Sequence, residues 1–214
     1  MFEFLAKGGI LVGPILLCSM IALAIFLERL IRFAQLRIAG DGLVEKLSGH
    51  IRRGEDDQAM ELAQVSDTPM GRVLQQGIEM READLDTLET VLVHAAEEES
   101  RGFSKYLQTL ATIGNITPLL GLLGTVLGMI KAFMVIQQTG GKVNAAVLAG
   151  GIWEAMLTTA LGLAVALPTM VAYSYLTARV DKFEAQIQDG AVSLIKALSD
   201  KRTNGNNALP DRGV

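Results

Sequence analysis

Long apolar stretches without a charged residue dominate the pattern of hydrophobic and polar positions. The first runs from residue 8 to 27, the second from 106 to 130 and the third from 155 to 178. A bilayer core about 30 Å thick needs roughly 20 apolar residues in a helix. Because backbone polar groups in lipid must be paired internally, each isolated stretch is expected to be helical. The pattern therefore predicts three transmembrane helices.

The first apolar stretch raises the alternative of a cleaved secretory signal. Its head, MFEFLAK, carries no net positive charge, its apolar run is long for a signal, and no A-x-A site follows the end of that run at residue 27. Leu17 before Cys18 also fits a lipoprotein cleavage site poorly. We interpret the stretch as a retained transmembrane helix in which Cys18 is a small apolar packing residue.

Helical signals fill the hydrophilic parts of the chain. Pro69 after Thr68 predicts a helix start. From Asp84 apolar residues recur at helical spacing, and the chain meets the second apolar stretch without a helix breaker such as proline, which predicts one long helix. Helical spacing also continues after the third stretch, up to a tail over 202–214 that is expected to be disordered. The predicted fold is an all-α membrane protein whose second and third transmembrane helices extend into a cytoplasmic helical bundle.

Basic residues near the apolar stretches predict the orientation. Seven of them share one side, against three on the other: Arg29, Arg32, Arg37, Arg101, Lys105, Arg179 and Lys182 against Lys7, Lys131 and Lys142. The positive-inside rule then makes the amino terminus periplasmic and the carboxy terminus cytoplasmic. The predicted divisions are an outside amino terminus with the first helix (1–27), a cytoplasmic helical region (28–105), the second helix (106–136), a short periplasmic loop (137–151), the third helix (152–178), and a cytoplasmic helix with a disordered tail (179–214).

Composition supports a membrane protein and excludes several function classes. Half of the 214 residues are hydrophobic and 20% are charged, against about a quarter in soluble domains. The net charge of -4 leaves no basic excess for nucleic acid. Cys18 is the only cysteine, so no intrachain disulfide can form, and His50 and His94 have no partners at metal-ligand spacing. We therefore expect no nucleic-acid partner, no metal and no cofactor.

The second apolar stretch places Thr125 among small residues. Glycines at helical spacing let helix backbones approach closely in lipid, and they are the predicted packing residues: Gly121, Gly124, Gly128 and, in the third stretch, Gly162. Thr125 has two interpretations. It either bonds a carbonyl of its own helix, as a packing threonine does, or it lines an ion pathway.

A hairpin centred near Lys142 brings two polar pairs to similar depth. Thr125 and Thr159 are equidistant from that centre, since 142 − 125 = 159 − 142 = 17, and Thr158 is adjacent to Thr159. Glu154 falls nearly level with Lys131. An intramembrane carboxylate is costly and therefore a candidate functional residue. Glu154 either pairs with Lys131 and only fixes the hairpin, or it lies at the mouth of a water-filled pathway and attracts cations.

Two motifs carry a resemblance to a known family. GNITPLLGLLGTVLGMIKAF (114–133) and AGGIWEAMLTTALGLAVALP (149–168) closely resemble the paired transmembrane signatures of the ExbB/TolQ branch of the MotA/TolQ/ExbB proton-channel family. The three-span layout with a large loop after the first span also resembles that branch, since MotA-type stators have four spans.

The resemblance implies a homopentamer in the bacterial inner membrane, with the second and third helices lining a central pore. A smaller single-span partner of the ExbD/TolR type, expected as a dimer in the pore, would supply a membrane aspartate, and a TonB/TolA-type protein would complete the system. By motif, Thr125 and Thr159 match pore-lining threonines and Glu154 matches the family glutamate. Thr158 and Lys131 are second-rank candidates, and Lys131 departs from the neutral or weakly basic residue expected there.

The implied function is a proton-channel or motor subunit that couples the proton motive force to work at the cell envelope. That work is outer-membrane transport in ExbB-like systems or envelope maintenance in TolQ-like systems. A structural membrane scaffold without ion conduction is the alternative. An enzyme is not expected, because GLLGTVLG lacks both the dinucleotide and the P-loop glycine patterns.

Overall fold

The computed structural model describes residues 9–36, 42–138 and 145–207. Seven α-helices and no strand occur in these ranges, and we number them in chain order: α1 (Val12–Leu36), α2 (Leu43–Arg52), α3 (Asp56–Val65), α4 (Pro69–Glu79), α5 (Leu85–Ser104), α6 (Leu107–Gln138) and α7 (Ala145–Asn207). The predicted all-α class is confirmed. Three helical stretches are long and apolar enough to cross a membrane, as predicted, and they lie in α1, α6 and α7.

The chain divides into two compact units. The membrane unit combines the residues up to Leu30 with Tyr106–Thr177, and the extramembrane unit combines Ile31–Lys105 with the residues from Ala178 onward. In the membrane unit, α6 and α7 contain Pro118 and Pro168 within their helical spans. Large apolar side chains such as Leu119, Val126 and Leu167 are exposed on this unit, as expected for surfaces that meet lipid or other helices.

The extramembrane unit has its own apolar core. Side chains from α2, α4, α5 and the second half of α7 are almost completely buried there: Leu47, Ile51, Leu74, Ile78, Leu88, Leu92, Ile187 and Leu194. The predicted start of α4 is confirmed, because the Thr68 hydroxyl accepts the backbone N–H of Gly71 at 3.0 Å and Pro69 opens the helix. At the start of α5, the hydroxyl and the N–H of Thr87 donate to Asp84 and lower the pKa of that carboxyl.

The single long helix predicted from Asp84 into the membrane is wrong. α5 ends at Ser104 and α6 begins at Leu107. Between them Tyr106 has a φ of 67°, a left-handed conformation that is rare for an aromatic residue. Its carbonyl accepts the N–H of Leu110, and its ring lies 5.4 Å from the Arg29 guanidinium carbon. Because Arg29 lies on α1, this tertiary contact supports a break that local sequence does not signal.

The ends of α6 and α7 also differ from the predicted segments. α7 already begins at Ala145, inside the stretch 137–151 that was predicted to be a loop. It continues to Asn207, so the predicted disorder is wrong for 202–207. Helix α1 likewise continues past residue 27 to Leu36. Residues 1–8 with Lys7, 37–41 with Arg37, 139–144 with the predicted hairpin centre Lys142, and 208–214 lie outside the described residues.

Candidate functional site on α6 and α7

Helices α6 and α7 meet through backbone at their glycines. A Cβ atom on Gly162 would lie 2.8 Å from the carbonyl oxygen of Thr117, and one on Gly121 would lie 3.0 Å from the Cα of Thr159. Gly124 faces the side chain of Thr158, and Gly128 faces the Cβ and Cα atoms of Ala155. All four predicted packing glycines thus lie in the contact between α6 and α7 of one chain. Such close approach maximises dispersion contacts, which drive helix association in lipid.

The register of the two helices is close to the predicted hairpin. Gly128 and Ala155 are centred between residues 141 and 142, and Gly121 and Thr159 are centred on residue 140. The predicted centre was Lys142. Thr159 therefore contacts α6 four residues before Thr125, about 6 Å or one turn along the helix. The tight contact of Gly162 with Thr117 and Gly121 fixes this offset, because backbone atoms cannot interpenetrate.

The two candidate hydroxyls differ in their hydrogen bonds. Thr159 donates across the helix pair to the carbonyl of Gly121 at 2.9 Å, whereas Thr125 donates to Leu122 of its own helix at 2.6 Å. Both side chains are half-buried. A donated hydroxyl keeps its acceptor lone pairs, so each threonine can still accept a hydrogen bond from water or from a protonated carboxyl group.

Thr158 has a different environment from its neighbour Thr159. Its side chain is 2% exposed, and its hydroxyl donates to the Ala155 carbonyl at 2.7 Å. A Cβ on Gly124 would lie 2.2 Å from its Oγ1 atom, so the Thr158 side chain occupies the space that the missing Cβ leaves. This second-rank candidate is thus enclosed between α6 and α7.

Glu154 and Lys131 form the ion pair that the hairpin register predicted. The Lys131 Nζ atom lies 3.4 Å from Glu154 Oε2, and their side chains are 70% and 26% exposed. Glu154 also packs against Gly9, three residues before α1: a Cβ on Gly9 would lie 2.6 Å from Glu154 Oε1. Gly9 has a φ of +72°, which favours glycine. No signal in the sequence indicated this contact.

Arg29 is a buried charge whose environment sequence reasoning missed. Its side chain is 1% exposed, with Nε 3.2 Å from Glu28 Oε2 and the guanidinium over the Tyr106 ring. From the sequence, Arg29 was used only as one of the basic residues that predict the orientation of the chain in the membrane. Its position at the end of an apolar run was the available signal, because a charge there needs a partner.

The chemistry available on α6 and α7 is hydrogen bonding rather than acid–base exchange at mid-span. No carboxylate occurs between Leu107 and Gln138, and Glu154 is the single one between Ala145 and Thr177. Among the described residues, no group of three histidine, cysteine, aspartate or glutamate side chains could hold a metal ion. A proton crossing these helices would have hydroxyls beside it and would need a titratable group from elsewhere.

These features define a multi-pass, all-α membrane protein with closely packed, hydroxyl-bearing helices. Residues 65–189 match the MotA/TolQ/ExbB proton channel family, and the chain belongs to this family, on its ExbB/TolQ branch. The biopolymer transport protein exbB1 of Vibrio cholerae is 32% identical over 186 residues, covering 84% of this chain and 80% of that protein. An ExbB-like biopolymer transport protein of Synechocystis is 31% identical over 166 residues, with 77% and 79% coverage. The ExbB of Salmonella typhimurium is 43% identical over 86 residues, with 40% and 35% coverage. The family is one of channels and not of enzymes.

Proposed function

We propose that this chain is a proton-conducting motor subunit of the bacterial inner membrane that couples the proton motive force to work at the cell envelope. The observation that carries the proposal is a pair of hydroxyl-bearing membrane helices without a mid-span carboxylate, in a chain of a proton-channel family. The relatives named as biopolymer transport proteins favour transport across the outer membrane over envelope maintenance as that work.

In this proposal the chain provides a surface and a partner provides the proton carrier. A proton crosses a bilayer on a group that water reaches from alternate sides, and α6 and α7 carry no such group at mid-depth. An aspartate on a single-span ExbD/TolR-type partner, present as a dimer inside a homopentamer, would fill this role. Thr125 and Thr159 would hydrogen-bond to that carboxyl group and to water. One proton moving through 100 mV releases about 2.3 kcal/mol, enough to bias rotation between near-equivalent positions.

The proposed orientation follows the basic residues. Arg29 on α1 and Arg179, midway along α7, are placed on the cytoplasmic side. The extramembrane unit is then cytoplasmic and the amino terminus is periplasmic. Glu154 then lies near the periplasmic mouth of the pathway. A TonB/TolA-type protein would receive the work on that side.

A structural scaffold is the second candidate, and one observation favours it. Thr125 and Thr158 both donate to carbonyls of their own helices, which is what packing threonines do. Under that alternative, helix packing through the glycine contacts between α6 and α7 is the whole function, and the protein conducts no ion.

Proton flux in vesicles separates these two candidates. We expect vesicles containing this chain with an ExbD/TolR-type partner to acidify under an imposed potential, monitored with a trapped pH-sensitive dye. A partner with its membrane aspartate changed to asparagine is the matched control and should give no flux. If the complex assembles but its proton flux does not exceed that of this control, the result favours the scaffold.

The pair of Glu154 and Lys131 should respond unequally to neutralisation. Lys131 is 70% exposed at 3.4 Å, and such ion pairs contribute about 0–1 kcal/mol. Lys131→Met should therefore lower flux no more than about fivefold, whereas Glu154→Gln should remove most of it. Both variants are measured at equal amounts of assembled complex. Equal losses in the two variants would show that the ion pair itself is the essential feature.

A further inference from the structure

A cleft of about 930 Å³ opens on the extramembrane unit, between α2, α4 and the second half of α7. Four basic side chains line it against two acidic ones, and two aromatic rings lie at its wall: Arg52, Arg179, Lys182 and Lys196, Glu45 and Asp189, Phe33 and Phe183. Lys182 and Lys196 are fourteen residues apart on α7, about 21 Å. The cleft is therefore an elongated basic surface.

Two lysines and one hydroxyl of this cleft have no partner among the described residues. Within residues 42–138 and 145–207, neither Lys182 nor Lys196 has an acidic group close enough for an ion pair, although Lys201 of the same helix binds Asp56. The buried Ser48 Oγ, which also lines the cleft, has no hydrogen-bond partner in the described structure. Buried polar groups are nearly always paired in a finished structure. The exposed Lys182 and Lys196 and the unpaired Ser48 hydroxyl leave this cleft free to bind a partner that carries acceptors.

Helix α5 of the same chain presents a complementary surface. Asp86, Glu89, Val93 and Glu97 follow one another at helical spacing on its exposed side, around a shallow depression. Val93 is 52% exposed. Glu89 and Glu97 form no ion pair with any described residue, whereas Glu99 on another side of α5 is bound by Arg72. We call these four residues the acidic strip.

We propose that the acidic strip of one copy docks in the basic cleft of the next copy. The inference rests on the proposed function only in requiring several copies of this chain. The strip and the cleft are different surfaces, so the contact is head-to-tail, and head-to-tail contacts close into rings when the rotation permits. Opposite charges on the two surfaces steer such contacts and set their register.

The heights of the charges along the two helices match. Within one chain, α5 and α7 run antiparallel, because the Phe103 and Phe183 rings pack edge to face with centroids 4.6 Å apart and the Ser100 hydroxyl lies 3.2 Å from Glu184. Starting from Ser100 beside Glu184, a step of three residues back along α5 places Glu97 level with residue 187. Residue 187 lies between Lys182 and Lys196 of the cleft. Eight further residues place Glu89 level with residue 195, next to Lys196. A rotation about an axis along these helices keeps every residue at its height, so the match also holds between neighbouring copies.

Disulfide trapping tests the contact. In a Cys18→Ser background, the pair Glu97→Cys and Gln186→Cys should give, on oxidation in membranes, a ladder of products beyond the dimer on non-reducing gels. Each single cysteine should give dimers at most, because a head-to-tail chain needs both positions. Absence of the ladder with proton flux intact overturns this inference and leaves the proposed function standing. A ladder without flux supports this inference and counts against the proposed function.

Charge reversal tests the electrostatic basis. Changing Lys196 to glutamate should lower the trapped ladder at least about fivefold, and Glu89→Lys on the facing strip should restore it. Glu61→Lys, an exposed acid on α3 outside both surfaces, is the matched control and should leave the ladder unchanged. The neutral variants Lys182→Gln and Lys196→Gln provide a second measurement with less risk of misfolding. Binding of phosphatidylglycerol vesicles that is lost on reversal, in a protein that gives no ladder, would assign the cleft to lipid and overturn the proposal.

Discussion

Replacing Thr125 and Thr159 together by valine is expected to leave the complex assembled and to lower proton flux on the order of 100-fold. Valine keeps the shape of threonine but removes the hydroxyl. The Thr125 hydroxyl bonds within its own helix, and the Thr159 hydroxyl bonds the Gly121 carbonyl. Each lost hydrogen bond costs only about 1 kcal/mol, so the helix pair should persist. Flux is measured in vesicles with the ExbD/TolR-type partner at matched amounts of complex.

Thr169→Val is the matched control for the double variant. Thr169 is buried on α7, and its hydroxyl donates to the Val165 carbonyl of its own helix. It is not one of the candidate residues of the ion pathway. Its flux should equal that of the unchanged chain. Normal flux in the double valine variant would remove these hydroxyls from the proton pathway.

Changing Gly162 to leucine should disrupt the α6–α7 pair itself. A Cβ at this position would meet the Thr117 carbonyl at 2.8 Å and the Gly121 Cα at 3.2 Å. Both are backbone atoms, which cannot move aside as a flexible side chain does. Overpacking costs about 1–3 kcal/mol where neighbours yield, and backbone atoms yield little, so we expect a cost of about 3 kcal/mol. That cost corresponds to a melting temperature lowered by roughly 6–12 °C, with little monodisperse complex in detergent.

Gly150→Leu on the same helix provides the comparison. Nothing lies within 4 Å of a Cβ built on Gly150, so leucine there should leave the melting temperature almost unchanged. Circular dichroism against temperature measures both variants. Equal melting of Gly162→Leu and Gly150→Leu would show that the close backbone contact adds no stability.

Sequence reasoning reached the features that repeat along the chain. Length and apolarity predicted the three spans, and glycine spacing predicted the residues through which α6 packs closely on another helix. The hairpin register was predicted to within about one turn, because equal helical rise on both sides of a turn sets relative depth. The exact offset depends on Gly162 against Thr117, a contact between distant residues.

Features that depend on a third element were not predicted. Gly9, three residues before α1, contacts Glu154 on α7, and Arg29 on α1 contacts Tyr106 just before α6. Neither contact leaves a periodic trace in sequence. The break at Tyr106 was missed for the same reason, because no glycine or proline marks a position that tertiary contacts hold in the left-handed region.

The left-handed Tyr106 separates two helices that would otherwise share one ladder of hydrogen bonds. Helix formation is cooperative along a continuous ladder, so unwinding that starts in a turn spreads to its neighbours. With α5 ending at Ser104 and α6 beginning at Leu107, local opening of α5 stops at the junction. Unwinding of α5 around Leu88 and Leu92 is therefore not passed along a shared backbone ladder to α6, which carries Thr125.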